Sequence, residues 1–192
     1  MTTSENTLEQ RIELIRKLNN MFRDHIEIED NFYMAGGCFD WSRELSDVDV
    51  FFQSEDDFHN VIKELDEFAI RVRVTDNSSS YLWKGIKFDI VKSKFYNSVE
   101  EVIESFDFVN CMAGIDCHSS KFISHKDWYT VNKQKRLAIH KITYPMASLR
   151  RAFKYAAKGY FVCHGSMLRL AEAIKGQEKP LSAQPIETYP ID

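Results

Sequence analysis

Apolar and polar positions follow helical and strand-like periods in turn along the first half of the chain. Segments with apolar residues at helical spacing and charges between them are typical of amphipathic helices, and short apolar or alternating runs are typical of strands. The pattern predicts helices at 7–27 and 55–67 and strands at 31–36, 47–53, 68–75, 81–83 and 86–91.

Shorter segments between these elements carry turn and cap signals. Residues 38–44 predict one or two helical turns, and 76–80 predict a turn or loop. Residues 98–106 predict a helix whose N-cap is Ser98, because Glu101 follows three positions later as in a capping box. The pattern leaves 108–116 and 121–123 open between strand and loop.

The character of the chain changes at Pro145. Residues 146–160 and 166–175 predict helices that end at Gly159 and Gly176. We therefore expect a mixed strand-and-helix domain at 1–143, a helical segment at 144–178 and an extended tail at 179–192.

Composition narrows the class of protein. Apolar residues make up 44% and aromatic residues 13% of 192 residues, which is enough for a packed core. The formal charge of −4 means that nucleic acid could bind only through a local basic patch. No apolar run reaches the about 20 residues of a membrane span, and the polar N-terminus does not resemble a signal peptide. We expect a cytoplasmic protein without a membrane partner, with its four cysteines reduced and mostly buried.

Two carboxylates inside a predicted strand are the first sign of chemistry. Asp47 and Asp49 are two positions apart, so they point to one face of the strand. Their repulsion and burial are costly unless a cation compensates, and oxygen ligands suit Mg²⁺ or Mn²⁺. Asp89 is a third acid on another apolar strand. If the two strands are neighbours, the three acids could hold two metal ions for a displacement at phosphorus.

Gly36 and Gly37 end the strand that precedes these acids, with nine residues between Gly37 and Asp47. Glycines at the end of a strand let backbone N–H groups approach a phosphate closely. Each feature alone also has a structural explanation, since a tight turn needs glycine and an acid at a strand edge can face water. Together they favour a metal and phosphate site.

The pattern Gly36-Gly37, Asp47-x-Asp49 and Asp89 resembles that of the DNA polymerase β-type nucleotidyltransferase superfamily. More narrowly, it resembles the head and neck of tRNA nucleotidyltransferases (CCA-adding) and bacterial poly(A) polymerases. The segments FDFVNCMAGID (106–116) and SLRRAFKYAAKGYFV (148–162) are similar to later motifs of that branch, so the resemblance covers about residues 30–162.

The resemblance implies an α+β protein with the polymerase β-like nucleotidyltransferase fold, a small mixed sheet flanked by helices with a short C-terminal helical segment. Residues 1–143 would be the nucleotidyltransferase head and 144–178 a neck. It implies transfer of a nucleoside monophosphate from a nucleoside triphosphate to an acceptor hydroxyl, with two Mg²⁺ or Mn²⁺ ions. Asp47, Asp49 and Asp89 would be the catalytic metal ligands. Nucleotide-binding residues would be Gly36, Gly37, Arg43, Ser46, Asp107, Asn110, Arg150, Arg151 and Lys154.

This chain departs from the branch at positions that contact the nucleotide. Phe106 replaces an arginine, and Ala147 or Ser148 stands where the neck helix has another. Base choice therefore cannot be carried over, and Arg150, Arg151 and Lys154 can equally solvate a helix face. An RNA 3′ end is the leading acceptor. Transfer to a small molecule or a protein, a non-catalytic nucleotide- or RNA-binding module, and a homodimer that completes the cleft stay open.

Overall fold

A computed structural model describes residues 7–26 and 32–176. The predicted tail at 179–192 and the predicted element ends at 27 and 31 lie outside these residues. The helices are α1 (Leu8–Arg23), α2 (Glu55–Phe68), α3 (Val99–Glu104), α4 (Trp128–Lys133), α5 (Pro145–Ala157) and α6 (His164–Lys175). The strands are β1 (Phe32–Ala35), β2 (Asp47–Phe52), β3 (Ile70–Val74), β4 (Ser78–Trp83), β5 (Ile86–Val91), β6 (Ala113–Asp116), β7 (Lys121–Ser124), β8 (Arg136–Leu137) and β9 (Phe161–Val162).

Seven strands form one mixed sheet in the order β3-β4-β5-β2-β1-β6-β7. Strands β2 and β5 are parallel, whereas the other neighbours in this sheet are antiparallel. β4 and β5 form a hairpin, whose turn residues Lys84 and Gly85 have φ of 49° and 78°. The α+β class and the mixed sheet flanked by helices are confirmed.

The two faces of the sheet are covered differently. Helices α1 and α2 pack on one face, against inward residues of β2 such as Val48 and Val50. Helix α3 packs on the other face near β1 and β6, where a Cβ on Gly114 would come within 2.7 Å of Val99. Because α3 lies on the β1 and β6 side, the part of this face that holds Asp47, Asp49 and Asp89 is left for polar side chains, whereas Phe51 and Val91, towards the ends of β2 and β5, pack in the α3 cluster.

Two details differ from the sequence prediction. Residues 78–80 were expected in a turn or loop, which is wrong: they begin β4, with Ser79 and Ser80 buried and Ser80 paired with Asp89. Their small hydroxyls fit a sheet interior that offers a carboxylate as acceptor. The Ser98 hydroxyl accepts a hydrogen bond from the N–H of Glu101, as predicted. The Glu101 carboxylate accepts from the N–H of Asn97 and not from that of Ser98, so the second hydrogen bond of a capping box is not formed.

The segments that the pattern left open are now assigned. Residues 109–111 form a 3₁₀ turn before β6, while 121–124 form β7, and α4 was not predicted. In the segment expected to hold one or two helical turns, a single 3₁₀ turn covers Gly37–Phe39.

The C-terminal helices pack on the head through their own apolar cluster. Pro145 occupies the first turn of α5, and Gly159 (φ 85°) follows its end. Ala152 of α5 and Leu170 of α6 are buried together with Phe108, and β8 pairs with β9. The domain boundary at residue 143 stays a prediction. In the described ranges, no helix combines the length and apolarity needed to cross a membrane.

Candidate active site

The carboxylates lie on two neighbouring parallel strands, which is the condition under which the sequence analysis expected them to converge. Asp49 of β2 is in register with Asp89 of β5, and Asp47 is in register with Lys87. Val48 lies between the two β2 acids and Val50 follows them; both are fully buried on the opposite face. The acids therefore face the side of the sheet that α1 and α2 do not cover.

Burial and neighbouring negative charges perturb the Asp49 carboxylate. Burial raises its pKa to about 7, with further increases from the negative charges of Asp47 and Asp89. The positive charges of Lys154 and Lys87 lower it in part, because they favour the ionised carboxylate. Asp49 is thus a carboxylate that a positively charged ligand would stabilise strongly.

Asp89 is already hydrogen-bonded on both carboxylate oxygens. The Lys87 ammonium lies 3.1 Å from Oδ2, and the Ser80 hydroxyl donates to Oδ1. In the parts of the chain that the structure describes, no three His, Cys, Asp or Glu side chains are disposed to hold one metal ion. Asp47 and Asp49 fit a divalent cation as oxygen donors, whereas Asp89 fits one only if it leaves Lys87.

Gly36 makes the close approach between the loop and the acids possible. Its φ is 96°, and a Cβ at this position would lie 3.0 Å from Oδ2 of Asp49. Its N–H donates to the carbonyl of Ala113 at 2.9 Å, so Gly36 provides space for the carboxylate rather than a donor for phosphate. Ser46, also predicted to contact phosphate, donates its hydroxyl to Oδ1 of Asp47 at 2.6 Å.

The loop after the glycines is held by residues that the sequence analysis missed. Arg11 of α1 is 3% exposed and donates to the carbonyls of Cys38, at 2.8 Å, and of Arg43. A signal for it existed, because Arg11 occupies a position of the apolar face of α1, four residues before Ile15. An arginine at such a position needs acceptors inside the fold.

Asp40 anchors the same loop to the C-terminal part of the chain. It accepts from Lys135 at 3.3 Å and from the Tyr160 hydroxyl at 3.0 Å. Burial alone would raise the pKa of Asp40, but the hydrogen bonds from Ser42 and the charge of Lys135 lower it overall. The charged form of Asp40 is thus stabilised by its contacts.

Helix α5 brings positive charge to the acids. Burial lowers the pKa of Lys158, and the positive charges of Lys154 and Arg43 lower it further, while Asp47 raises it. Lys158 is thus under the electrostatic influence of two other cations and of the Asp47 carboxylate. Lys158 was not predicted as a site residue, although its spacing four positions after Lys154 puts both on one side of the helix.

Two of the other predicted nucleotide ligands, Asp107 and Arg151, bind each other. Asp107 is buried and accepts from the Ser148 hydroxyl at 2.9 Å and from the Arg151 guanidinium. The side-chain amide of Asn110 is also buried, and its Oδ1 has no hydrogen-bond partner among the described residues. Arg150 is exposed on α5. Asp107 and Arg151 therefore join α5 to the head.

Comparison with known proteins identifies a matching family and a group of solved structures with a similar fold. A family model described as "Gad2: Gabija anti-defense 2 family protein" matches residues 9–135. The protein "Gabija anti-defense 2" of Bacillus phage SPbetaL7 is 28% identical over 131 residues, which are 67% of this chain and 33% of that protein. The chain thus spans about a third of this curated relative's length. The matching family is not the tRNA nucleotidyltransferase branch that the motifs resemble.

Solved structures with a similar fold are CCA-adding and tRNA-processing enzymes. The Thermotoga maritima CCA-adding enzyme complexed with tRNA has a TM-score of 0.56 at 15% identity, over 88% of this chain and 44% of that one. A CCA-adding enzyme with ATP has a TM-score of 0.63 at 15% identity, over 88% and 45%. A tRNA-processing enzyme in its apo form has a TM-score of 0.61 at 16% identity, over 91% and 48%. At these identities the likeness shows the fold, which is that of the polymerase β-like nucleotidyltransferases.

Proposed function

Because the chain belongs to the Gabija anti-defense 2 family and has a nucleotidyltransferase fold, we propose that it transfers a nucleoside monophosphate from a nucleoside triphosphate to an acceptor hydroxyl. One observation carries this proposal: Asp47, Asp49 and Asp89 lie on neighbouring strands, and the charges of Lys154 and of Lys158, at the end of α5, act on Asp49 and on Asp47 respectively. Carboxylates for a metal ion beside cations for phosphate form the combination that nucleotidyl transfer requires.

The positively and negatively charged residues of the site would have different roles. Arg43, Lys154 and Lys158 would neutralise the triphosphate, and Asp47 and Asp49 would hold a divalent cation. A bound divalent cation supplies charge neutralisation and lowers the pKa of the acceptor hydroxyl. The acceptor oxygen forms a bond to the α-phosphorus, the bond to the bridging oxygen breaks and pyrophosphate leaves. Asp89, once released from Lys87, would accept the hydroxyl proton.

We take an RNA 3′ end as the first candidate acceptor, since one structural neighbour is a CCA-adding enzyme complexed with tRNA. A hydroxyl on a protein or small molecule is the second candidate. The formal charge of −4 supports it, because a negatively charged chain gains little general attraction to RNA. Mg²⁺ or Mn²⁺ would serve either reaction.

The family name supports a biological setting for this chemistry. The phage relative is named for an action against a defence called Gabija. We infer that this chain counteracts the same defence through nucleotidyl transfer. Cells that carry the defence, with the wild-type chain or Asp47→Asn/Asp49→Asn co-expressed, would be challenged with phage. Rescue of plaque formation by the wild type alone is expected, and equal rescue by the variant would contradict a catalytic role.

The acceptor is identified with α-labelled nucleoside triphosphates. Each of the four is incubated with Mg²⁺ or Mn²⁺, total RNA and a cell extract, using the wild type and Asp47→Asn/Asp49→Asn. A matched variant, Asp56→Asn/Asp76→Asn, removes two exposed carboxylates away from the site. Label in RNA supports the first candidate, and label in protein or small molecules supports the second. Metal-dependent nucleotide binding without any transfer would favour a non-catalytic binding module instead.

A further inference from the structure

Lys87 places a positive charge among the three carboxylates, with a side chain that is 39% exposed. On adjacent parallel strands, Lys87 is in register with Asp47, and Asp89 is in register with Asp49. Lys87 and Asp89 are two positions apart on β5, so their side chains leave the same face as the two acids of β2. The result is a square of three carboxylates and one ammonium group on one sheet face.

The Lys87 ammonium group forms an ion pair with the Asp89 carboxylate oxygen that a second metal ion would need as a ligand. Its Nζ lies 3.1 Å from Oδ2 of Asp89, and Ser80 donates to Oδ1 of the same carboxylate. The Asp89 side chain is 16% exposed, so water can replace these partners only in part. A divalent cation at this oxygen would meet both a filled acceptor site and a like charge.

We propose that Lys87 takes the place of one divalent cation, so that the chain binds a single divalent ion, at Asp47 and Asp49. This inference rests on the metal site of the proposed function, for which the superfamily resemblance implies two ions. On this sheet face the Lys87 ammonium offsets the charge of one carboxylate and lies on Oδ2 of Asp89. A second divalent ion would have to displace that ammonium, whereas an ion at Asp47 and Asp49 would not.

Strand geometry keeps Lys87 at this position. Phe88 and Ile90 are almost fully buried on the opposite face of β5, so the strand cannot rotate its polar side elsewhere. Leu82 of β4 lies in register with Lys87 on its other side. The nearest acidic positions to Lys87 in the sheet are therefore Asp47, beside it on β2, and Asp89, two positions along β5.

Equilibrium binding of Mn²⁺ to the full chain tests the inference, with free Mn²⁺ measured by electron paramagnetic resonance. The wild type is expected to bind one ion per chain. Lys87→Met is expected to bind two, the second at least about tenfold tighter than any second ion in the wild type, since one nearby charge shifts such equilibria by a pKa unit or more. Lys87→Arg keeps the charge and is expected to bind one ion.

Lys63→Met is the matched control, because it removes an exposed lysine of α2 on the other side of the sheet. It is expected to bind one ion, as the wild type does. Two ions in the wild type, or equal numbers of ions in the wild type and Lys87→Met, would overturn the inference. The readout does not depend on catalysis: one ion in the wild type and two in Lys87→Met would support it even if no nucleotide were transferred.

Discussion

Replacing Gly36 with alanine tests how closely the glycine loop approaches the acids. Gly36 has φ 96° and ψ −143°, a conformation that costs a residue with a side chain about 1–3 kcal/mol. The added Cβ would also lie 3.0 Å from Oδ2 of Asp49, so this carboxylate would have to shift by a few tenths of an ångström. We expect Gly36→Ala to lower the free energy of unfolding by about 2 kcal/mol, which lies within the cost of the backbone conformation alone.

Gly37→Ala is the matched control in the same loop. A Cβ at Gly37 would have the Tyr155 hydroxyl as its nearest neighbour, at 3.9 Å, which is ordinary van der Waals contact. Its expected effect is within about 0.5 kcal/mol. Urea denaturation of both variants and the wild type measures the difference. If Gly36→Ala were as stable as Gly37→Ala, the close approach and its backbone cost would be refuted.

Three further predictions concern charge. The pKa of Asp49 is raised to about 7, so between pH 4 and 7 the native state binds more protons than the unfolded state, and metal-free stability should fall as pH rises. Denaturation in a chelator should show a weaker fall for Asp49→Asn, and an unchanged slope would contradict the assignment. Asp107→Ala should lower the free energy of unfolding by about 1–3 kcal/mol, because Ser148 loses its acceptor in a buried place. Arg151→Ala should cost less than about 1 kcal/mol, since the arginine side chain is 52% exposed, and the reverse order in thermal denaturation would be inconsistent with this link. Lys158→Met should weaken binding of a fluorescent nucleoside triphosphate more than Arg151→Ala does, and equal binding by the two would remove Lys158 from the site.

The strands that carry the acids could be predicted because their pattern is local. β2 and β5 alternate buried apolar residues with Asp47, Asp49 and Asp89, and the turn Lys84-Gly85 sets the register of β4 and β5. The convergence of the three acids was conditional on these strands being neighbours, and their pairing meets that condition. The alternation that puts the acids on one face of each strand is a property that a sequence displays directly.

The contacts around the acids could not be predicted, because they join segments far apart in the chain. Arg11 holds a loop about 30 positions away, and Lys158 reaches the acids only through the packing of α5 on the head. Asp107 and Arg151, which the motifs predicted to bind a nucleotide, likewise form a hydrogen bond with each other. A motif gives the residue type at a position, whereas its partner depends on tertiary packing.

Ser80 shows the same limit on a smaller scale. A run of serines after Asp76-Asn77 is typical of a loop, yet Ser80 lies in the sheet beside Asp89. Its place is set by a carboxylate nine positions later, to which it donates a hydrogen bond. Turn propensity is local and weak, and pairing with β5 overrides it.

Comparing α-labelled with γ-labelled nucleoside triphosphate tests the central claim most directly. Both are incubated with the wild-type chain, Mg²⁺ or Mn²⁺ and the acceptor mixture, and the label on macromolecules and small acceptors is counted. Nucleotidyl transfer predicts that the α-label moves to an acceptor while the γ-label leaves as pyrophosphate, and that Asp47→Asn/Asp49→Asn abolishes both. Transfer of the γ-label, or α-label transfer that persists in the double variant, would contradict the assignment of these carboxylates to nucleotidyl transfer.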